Sequence, residues 1–320
     1  MHILIGPNRY NLDQVIPALT AQFPKLTFDV CEDDACVSDR IAEADAYCGW
    51  LNRDQFLAAK NLRWIQSPST GVDAFCRIPE LVEGDVILTN ARGAHAVPLA
   101  EQALAGIFAF TRGTKVFLEH QARHEWASRE RREELVELTG STLGIVGFGT
   151  VGQAIAERAQ AFGMRILAVD LLQIDKPDYV ERLDGADGLD ALLQESDYVV
   201  ITVPYTELTH GMIGAAELAR MKPSAILVGV SRGGIIDEAA LVDALTSGQL
   251  AAAALDVFET EPLSEDSELW DIDNLVITPH AAGGSQFEAP AIRAIFKENV
   301  ERYLEDDFPL RNTVDKQRGF

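Results

Sequence analysis

Three polar residues in the second half of the chain each come shortly after a predicted strand: Arg232, Glu261 and His280. A guanidinium binds a carboxylate bidentately and polarises a neighbouring carbonyl group, which an ammonium group does less well. An imidazole exchanges protons near neutral pH, and a carboxylate bonded to it fixes its tautomer and favours its protonated form. Hydride transfer to a 2-keto acid requires such a cation, a general acid and a partner for that acid.

Each of these residues also has a structural explanation that the sequence leaves open. An arginine before two glycines is common in surface turns, a lone histidine is more often structural than catalytic, and loop acids are usually solvated. Glu259 and Glu261 both lie in the segment DVFETEP. Spacing alone therefore does not decide which of the two acids would contact His280.

A glycine-rich segment, Thr142–Asp170, reads TLGIVGFGTVGQAIAERAQAFGMRILAVD. It contains a GxGxxG motif formed by Gly147, Gly149 and Gly152. After a strand and before a helix, these glycines allow a tight turn, the approach of a pyrophosphate and close packing of helix on strand. Thr150 and Val151 then lie where the helix N-terminus offers free N–H groups to phosphates.

Asp170 closes the following strand and carries the prediction of cofactor type. An acid at this position accepts hydrogen bonds from the ribose hydroxyls of NAD and repels the 2′-phosphate of NADP. Leu171 and Leu172 follow it, with no arginine for that phosphate. The motif therefore predicts NAD; the alternative is a glycine-rich turn that binds no nucleotide.

The composition excludes several classes of partner. A net charge of −23 argues against nucleic acid and anionic membranes, both of which attract Lys and Arg. No apolar run reaches the roughly 18–20 residues of a membrane span, and the segment MHILIGPNRYNLDQ has no signal-peptide pattern. We therefore expect a cytoplasmic protein, whose acidic surface reflects either ordinary solvation or a salt-rich cytoplasm.

The cysteines give no metal-binding pattern. Cys31, Cys36, Cys48 and Cys76 form no CxxC pair and have no histidine at ligand spacing. A structural zinc site needs closely spaced ligand pairs, so no metal is predicted. We expect buried or idle thiols in a reducing cytosol.

Short apolar runs alternate with helical segments in two blocks, which predicts an α/β fold with parallel sheets. The first block has predicted strands at 2–6, 27–31, 46–50, 64–67 and 86–90, with helices over Leu12–Phe23 and Arg53–Lys60. A long apolar helix over 97–112 and a charged stretch, Glu119–Glu137, separate it from the second block. The second block has continuous apolar runs, typical of strands buried on both faces. An amphipathic helix over Ser285–Leu304 closes the chain.

The order of these segments resembles the D-isomer-specific 2-hydroxyacid dehydrogenase family over almost the whole chain. The matching segments are STGVD at 69–73, TNARGAHAVPLAEQALA at 89–105, ELTGSTLGIVGFGTVG at 137–152, VSRGGIID at 230–237, ALDVFETEP at 254–262 and TPHAAG at 278–283. The resemblance implies two doubly wound parallel-sheet domains. They are a flavodoxin-like substrate-binding domain, 1–96 plus 286–320, and a central Rossmann NAD-binding domain, 97–285, with the site in the cleft. It also implies a homodimer.

The resemblance also implies roles for individual residues. Arg232 is the substrate-binding and polarising cation, and Glu261, the second acid of ExEP, is the partner of the catalytic His280. Predicted cofactor contacts outside the glycine-rich segment are Val203 and Pro204 along the adenosine, Asp256 at the nicotinamide carboxamide, and Val230 and Gly283 within the matching segments. The backbone N–H groups of Ser69, Thr70, Gly71 and Val72 are expected to bind the substrate carboxylate.

Departures from the family pattern and alternatives to its activity remain. Gly229 stands where an asparagine usually precedes the catalytic arginine in this family, and because the sequence ends at Phe320 we expect no regulatory domain like that of many phosphoglycerate dehydrogenases. Trp50 and Arg53 follow a strand where the family lines its substrate pocket, so Arg53 either meets a substrate phosphate or lies on the surface.

Formate oxidation is disfavoured because those enzymes have Gln at the position of Glu261. An NAD-sensing binding protein with little turnover is the second functional hypothesis.

Overall fold

The computed structural model describes residues 1–126 and 132–320, which form two compact units. Unit 1 comprises Met1–His95 with Gly284–Phe320, and unit 2 comprises Ala96–Gly283. The middle of the predicted charged stretch, residues 127–131, lies outside the described ranges. No helix within those ranges is both long and apolar enough to cross a membrane.

The described residues contain these elements in chain order. The strands are β1 His2–Ile5, β2 Thr27–Val30, β3 Ala46–Cys48, β4 Trp64–Gln66, β5 Ile87–Thr89, β6 Thr142–Val146, β7 Arg165–Val169, β8 Arg182–Asp184, β9 Tyr198–Ile201, β10 Ile226–Gly229, β11 Ala252–Leu255 and β12 Leu275–Ile277. The α-helices are α1 Ile16–Gln22, α2 Asp34–Arg40, α3 Arg53–Ala58, α4 Asp73–Cys76, α5 Pro79–Glu83, α6 Ala96–Thr111, α7 Thr114–Ala122, α8 Thr150–Ala161, α9 Leu189–Glu195, α10 Ala215–Leu218, α11 Glu238–Thr246 and α12 Glu288–Leu304. Short 3-10 helices lie at Leu12–Val15, Ile41–Glu43, Arg132–Glu134, Ala186–Gly188 and Glu268–Asp271.

Unit 1 is built on a five-stranded parallel sheet with the strand order β2-β1-β3-β4-β5. This order is that of flavodoxin-like folds, so the predicted fold class is confirmed for this unit. Each of its strands overlaps a predicted one, because short apolar runs between polar loops form the buried centre of a covered sheet. The C-terminal helix α12 packs on the sheet, where the Phe296 ring lies 6.2 Å from Trp64 and the Tyr303 ring 5.6 Å from it.

The prediction that all four cysteines are thiols is wrong. Cys31 and Cys36 form a disulfide, while Cys48 and Cys76 are free. Cys31 follows β2, and Asp33 caps α2 by accepting a hydrogen bond from Cys36 N at 2.8 Å. The chain therefore turns back within five residues and brings the two Cα atoms to 5.5 Å, inside the range that a disulfide spans.

Unit 2 is built on a seven-stranded parallel sheet with the strand order β12-β11-β10-β9-β6-β7-β8. Numbered from β6, the six strands other than β12 follow the dinucleotide-binding order, which confirms the predicted Rossmann architecture. All residues of β6, β9, β10 and β11 are buried, as their continuous apolar sequences predict. The edge strand β8 was not predicted, because its sequence RLD is polar and half-buried.

The predicted apolar helix is present as α6 and packs against the sheet of unit 2. Its buried face includes Gly106, where an added Cβ would lie 2.8 Å from the Ala254 side chain. Two small residues thus allow the helix backbone to approach β11 closely. Together with α8, this helix covers the same face of the sheet that carries the glycine-rich turn.

Candidate active site

The three predicted catalytic residues follow three neighbouring strands of unit 2. Arg232 follows β10, Glu261 follows β11 and His280 follows β12, and these strands are adjacent in the sheet. Parallel strands end at a common edge, where ligands of doubly wound sheets bind. Segments that are distant in sequence are therefore brought together at one edge.

His280 and Glu261 form a direct contact. The ring Nδ1 lies 2.6 Å from Glu261 Oε2, and the other carboxylate oxygen accepts a hydrogen bond from Phe258 N at 2.9 Å. The His280 side chain is 44% exposed, and its Nε2 has no hydrogen-bond partner in the described ranges. A carboxylate at Nδ1 leaves Nε2 as the atom that can give a proton to a ligand.

Glu259, the other acid that spacing left open, has a different partner. Its backbone N–H donates to Glu238 Oε1 at 2.5 Å, and Glu238 N lies 3.4 Å from the Glu259 carboxylate. Burial, and then the charges of Glu259 and Glu261, raise the pKa of Glu238. Of the two acids, the structure therefore brings only Glu261 into contact with the His280 ring.

Asp256 holds the loop that carries His280. Its carboxylate is buried and accepts hydrogen bonds from Thr278 Oγ1 at 2.5 Å, Ala281 N at 3.0 Å and Ala282 N at 2.9 Å. Its backbone carbonyl accepts from His280 N at 2.8 Å. The His280 backbone lies in the left-handed region, at φ 49°, which non-glycine residues adopt only when their surroundings hold them there.

The turn that carries Arg232 packs on the segment that carries Glu261. At Gly233, a Cβ would lie 1.8 Å from the Phe258 carbonyl oxygen, so only glycine permits this approach. Arg232 Nη1 donates to the Ser231 carbonyl at 2.8 Å. At Gly229, a Cβ would come within 2.9 Å of Leu255 and 3.1 Å of Ile236, two side chains that fill the space of the usual asparagine.

The glycine-rich turn fits a dinucleotide pyrophosphate. Gly147 has φ 98°, and Gly152 lies so close to it that a Cβ there would be 2.2 Å from the Gly147 carbonyl oxygen. At Gly149, an added Cβ would meet no protein atom within 4 Å. Protein packing therefore explains the first and third glycines, whereas the second leaves open space in front of the helix α8, which begins at Thr150.

Asp170 is tied to the same turn. One carboxylate oxygen accepts a hydrogen bond from Phe148 N at 2.6 Å and the other from Leu172 N at 2.8 Å. Each oxygen keeps a further lone pair for a ribose hydroxyl. Asp170 thus both shapes the turn and offers an acceptor beside it.

The remaining predicted cofactor residues lie on the loops after β9, β10 and β12 of unit 2. Thr202, directly after β9, donates from Oγ1 to the Gly147 carbonyl at 2.6 Å, and Val203 N comes within 2.9 Å of where a Gly147 Cβ would lie. Pro204 follows Val203 on that loop. Val230 is buried directly after β10, and Gly283 is the last residue of unit 2.

The predicted substrate loop, Ser69–Val72, lies in unit 1 after β4. Its carbonyls are engaged: Ser69 O accepts from Ala91 N at 3.0 Å, Thr70 O from Asn90 Nδ2 at 2.8 Å, and Val72 O from Cys76 N at 3.0 Å. In a trans peptide, N–H and C=O point in opposite directions. In each case, the N–H group of the next residue therefore points away from the group that holds the carbonyl.

The N–H groups of this loop differ in their partners. Ser69 N donates to Ser67 Oγ at 3.2 Å, whereas the N–H groups of Thr70, Gly71 and Val72 have no partner in the described ranges. Successive free amides on a fixed loop form an anion-binding concavity. Three of the four predicted donors are therefore available, and Ser69 N–H is not.

Arg53 does not meet the pocket role considered for it. Its guanidinium forms a bidentate ion pair with Glu80 and is 57% exposed, so the surface explanation holds. Trp50 contacts Tyr10 at a ring distance of 6.0 Å and lies under the Arg9 guanidinium at 5.5 Å.

Comparison with known proteins decides the family. The sequence model of the NAD-binding domain of D-isomer specific 2-hydroxyacid dehydrogenases matches residues 104–282. The chain belongs to this family. A glyoxylate reductase of Korarchaeum cryptofilum is 34% identical over 88% of the chain and 87% of its own length.

Two solved structures of D-2-hydroxyacid dehydrogenases are similar over whole chains. A family protein from Aeromonas salmonicida superposes with a TM-score of 0.85 at 29% identity, covering 98% of this chain and 99% of its own. An NADPH-dependent glyoxylate/hydroxypyruvate reductase from Sinorhizobium meliloti, in complex with NADP and sulfate, gives a TM-score of 0.84 at 28% identity, covering 100% and 99%. The chain is therefore an oxidoreductase of the D-2-hydroxyacid dehydrogenase family, which acts on 2-keto acids with a nicotinamide cofactor.

Sequence reasoning missed two structural roles in this D-2-hydroxyacid dehydrogenase. Asp256 holds the His280 loop through three side-chain hydrogen bonds, and Asp170 holds the glycine-rich turn through Phe148 N. No local pattern announces either role, because the partners lie more than twenty residues away. An acid directly after a buried strand was the only available signal.

Proposed function

We propose that this D-2-hydroxyacid dehydrogenase reduces a short 2-keto acid, such as glyoxylate or hydroxypyruvate, to the D-2-hydroxy acid with NADH, and catalyses the reverse reaction. The observation that carries the proposal is the 2.6 Å contact between His280 Nδ1 and Glu261 Oε2, with Nε2 left available. Intact acid–base residues favour an enzyme over an NAD-sensing protein. The similarity to glyoxylate and hydroxypyruvate reductases supports the substrate class.

The chain's own residues supply binding and proton transfer. When bound, the reduced nicotinamide supplies the hydride. Arg232 binds the substrate carboxylate and polarises the keto group, and the free amides of Thr70 and Gly71 bind the carboxylate. His280 donates its Nε2 proton to the oxygen of the substrate, while Glu261 stabilises the charged ring and fixes its tautomer.

We assign cofactor binding to the segment 97–285 and substrate binding to 1–96 with 286–320. The glycines at 147, 149 and 152, with Thr150 and Val151, would hold the pyrophosphate, and Asp170 the adenosine ribose. Val203, Pro204 and Val230 would line the adenosine and nicotinamide, while Asp256 and Gly283 would lie at the carboxamide end. These assignments rest on the open space at Gly149 and on the free amides of unit 1.

NAD is the proposed cofactor because Asp170 offers acceptors but no cation to a 2′-phosphate. Removing its charge in Asp170→Asn should shift the ratio of kcat/KM for NADH over NADPH towards NADPH by about tenfold, or about 1.4 kcal/mol. The measurement is initial rate against each cofactor at saturating keto acid. An unchanged ratio would remove the argument from Asp170.

A homodimer in the cytoplasm is the proposed state. Helix α7 has no buried side chain, and Leu118 on it and Trp126 beyond it are 59% and 93% exposed. Large apolar side chains exposed on a helix with no buried face favour burial against a second copy of the chain. Light scattering on the purified protein should give twice the 35.0 kDa chain mass.

The proposed reaction is tested by oxidation of NADH against glyoxylate, hydroxypyruvate, pyruvate, phenylpyruvate and phosphohydroxypyruvate, at low and high salt. Wild-type protein should turn over at least one of them, and His280→Ala should lower kcat by about 10²–10⁴-fold with unchanged NADH affinity. His2→Ala, at the start of β1 in unit 1, is the control and should keep wild-type kcat. NADH binding without turnover on any substrate would instead favour the NAD-sensing protein.

A further inference from the structure

Another histidine–carboxylate pair lies within unit 1, whereas the residues assigned to proton transfer belong to unit 2. His95 Nε2 lies 3.1 Å from Glu288 Oε1, and His95 Nδ1 lies 2.9 Å from Thr70 Oγ1. The His95 and Glu288 side chains are only 12% and 23% exposed. Both ring nitrogens are therefore occupied, and one of them contacts the predicted substrate loop.

The partners determine which atoms carry the protons. A carboxylate only accepts, so Nε2 of His95 carries the hydrogen that Glu288 receives. In the neutral ring, Nδ1 is then an acceptor, and the Thr70 hydroxyl donates to it. This hydrogen bond fixes the rotamer of Thr70, whose own N–H is one of the three free amides of the loop.

Glu288 is itself held from a second direction. Burial, then the charge of Glu288 and a hydrogen bond to it, raise the pKa of Tyr10 to about 12. Tyr10 therefore stays protonated at neutral pH and donates to the carboxylate. Its backbone carbonyl accepts from Arg293 Nη1 at 2.8 Å, one and a half turns further along α12. The carboxylate is thus a fixed acceptor rather than a mobile surface group.

The backbone of Thr70 is anchored separately from its side chain. Asn90 Nδ2 holds the Thr70 carbonyl at 2.8 Å, and His95 holds the hydroxyl. The Thr70 carbonyl shares a peptide plane with Gly71 N–H, so its anchor sets the direction of that N–H group, while the bond to His95 restrains the Thr70 side chain. Without the second anchor, the hydroxyl is free to rotate and the loop loses one of its constraints.

We propose that His95 is a positioning residue for substrate binding: paired with Glu288, it holds Thr70 so that the amides of the loop Ser69–Val72 face the substrate carboxylate. The proposal rests on the proposed function of that loop. His95 takes no part in proton transfer, since both of its nitrogens are engaged within unit 1. Its loss should therefore raise KM for the keto acid and leave kcat unchanged.

The test measures KM, kcat and NADH affinity for His95→Ala, Thr70→Val and the double variant, with the best keto acid from the panel. Each single variant should raise KM by about five- to tenfold with kcat within about twofold, and the double variant should be no worse than the single ones. His95→Gln, whose amide both donates and accepts, should recover part of the loss. Binding of oxalate to the NADH-bound enzyme should weaken in parallel and needs no turnover.

His2 supplies a matched control in the same unit. Its Nδ1 lies 3.1 Å from Thr27 Oγ1 and its Nε2 3.5 Å from Asp29, but it begins β1 at the opposite, amino end of the sheet. His2→Ala should keep wild-type KM. Equal KM values in His95→Ala and His2→Ala, or additive effects of His95→Ala and Thr70→Val, would overturn the proposal. A wild-type protein inactive on the whole panel would contradict the proposed function instead.

Discussion

Unit 1 and unit 2 each contain a histidine bonded to a glutamate, but the two pairs differ in what the second ring nitrogen contacts. In unit 2, His280 uses Nδ1 for Glu261 and leaves Nε2 without a partner in the described ranges, on a side chain that is 44% exposed. In unit 1, His95 uses both nitrogens, and its side chain is 12% exposed.

The comparison separates proton transfer from positioning. An imidazole acts as a general acid only if one nitrogen can reach the ligand, which the His280 arrangement permits. His95 instead links Glu288 of helix α12 to Thr70 of the loop Ser69–Val72, whose binding groups are backbone amides. Substitutions in the His280–Glu261 pair should therefore act on kcat, and substitutions in the His95–Glu288 pair on KM.

Among the substitutions that test this comparison, the largest effect is expected from replacing Glu261, the carboxylate of the unit 2 pair. Glu261→Gln keeps the shape of the side chain but removes the carboxylate that lies 2.6 Å from His280 Nδ1 and orients the ring, and we expect kcat to fall by about 10²-fold. Glu259→Gln is the matched control, since Glu259 contacts Glu238 and not the ring. Steady-state rates at saturating keto acid measure both. Equal losses in the two variants would contradict the assignment of Glu261.

The contrast between the two pairs also shows what sequence can predict. The strands of both sheets other than β8, and the site at Arg232, Glu261 and His280, follow from local runs and from the resemblance to the family. The pairing of His95 with Glu288 joins residues 193 positions apart, and no motif marks it. It depends on α12 returning to the first sheet, so only the tertiary fold reveals it.

Two further differences between the predicted and the observed structure also have physical causes. The disulfide between Cys31 and Cys36 depends on the tight turn capped by Asp33, which spacing alone does not disclose. The strand β8 pairs through its backbone at a sheet edge, where polar side chains are tolerated and no apolar run is needed. Prediction from apolar runs is therefore reliable for buried strands and weak at edges and turns.

A smaller effect is expected from replacing Asn90, whose side chain holds the backbone of the loop Ser69–Val72 in unit 1. Asn90 is 4% exposed, and Asn90→Ala frees the Thr70 carbonyl, so KM for the keto acid should rise by about fivefold while kcat stays unchanged. Asn274→Ala is a suitable control, because Asn274 also holds two backbone carbonyls but precedes β12 at the amino end of its sheet. A fall in kcat at constant KM would break the division between the units.

The smallest effect concerns stability and compares one acid from each unit. Burial raises the pKa of Glu238 in unit 2 above its ordinary 4.5, whereas the hydrogen bond from Arg53 lowers that of Glu80 in unit 1. A raised carboxyl pKa means that the folded state binds the proton more tightly than the unfolded state. The ionised group therefore costs stability as pH rises above 4.5, and the full cost applies once pH exceeds the folded pKa.

Replacing each acid by its neutral amide should thus act in opposite directions. Glu238→Gln should raise Tm at pH 8 by about 1 °C and leave it unchanged at about pH 3, where the carboxyl is protonated in both states. Glu80→Gln should lower Tm at pH 8 or leave it unchanged, since its lowered pKa contributes stability only above the unfolded value. Thermal unfolding at the two pH values measures both. Destabilisation by Glu238→Gln at pH 8 would show that its bond to Glu259 N outweighs the burial of its charge, and that the charged acid helps to hold the Glu261 segment.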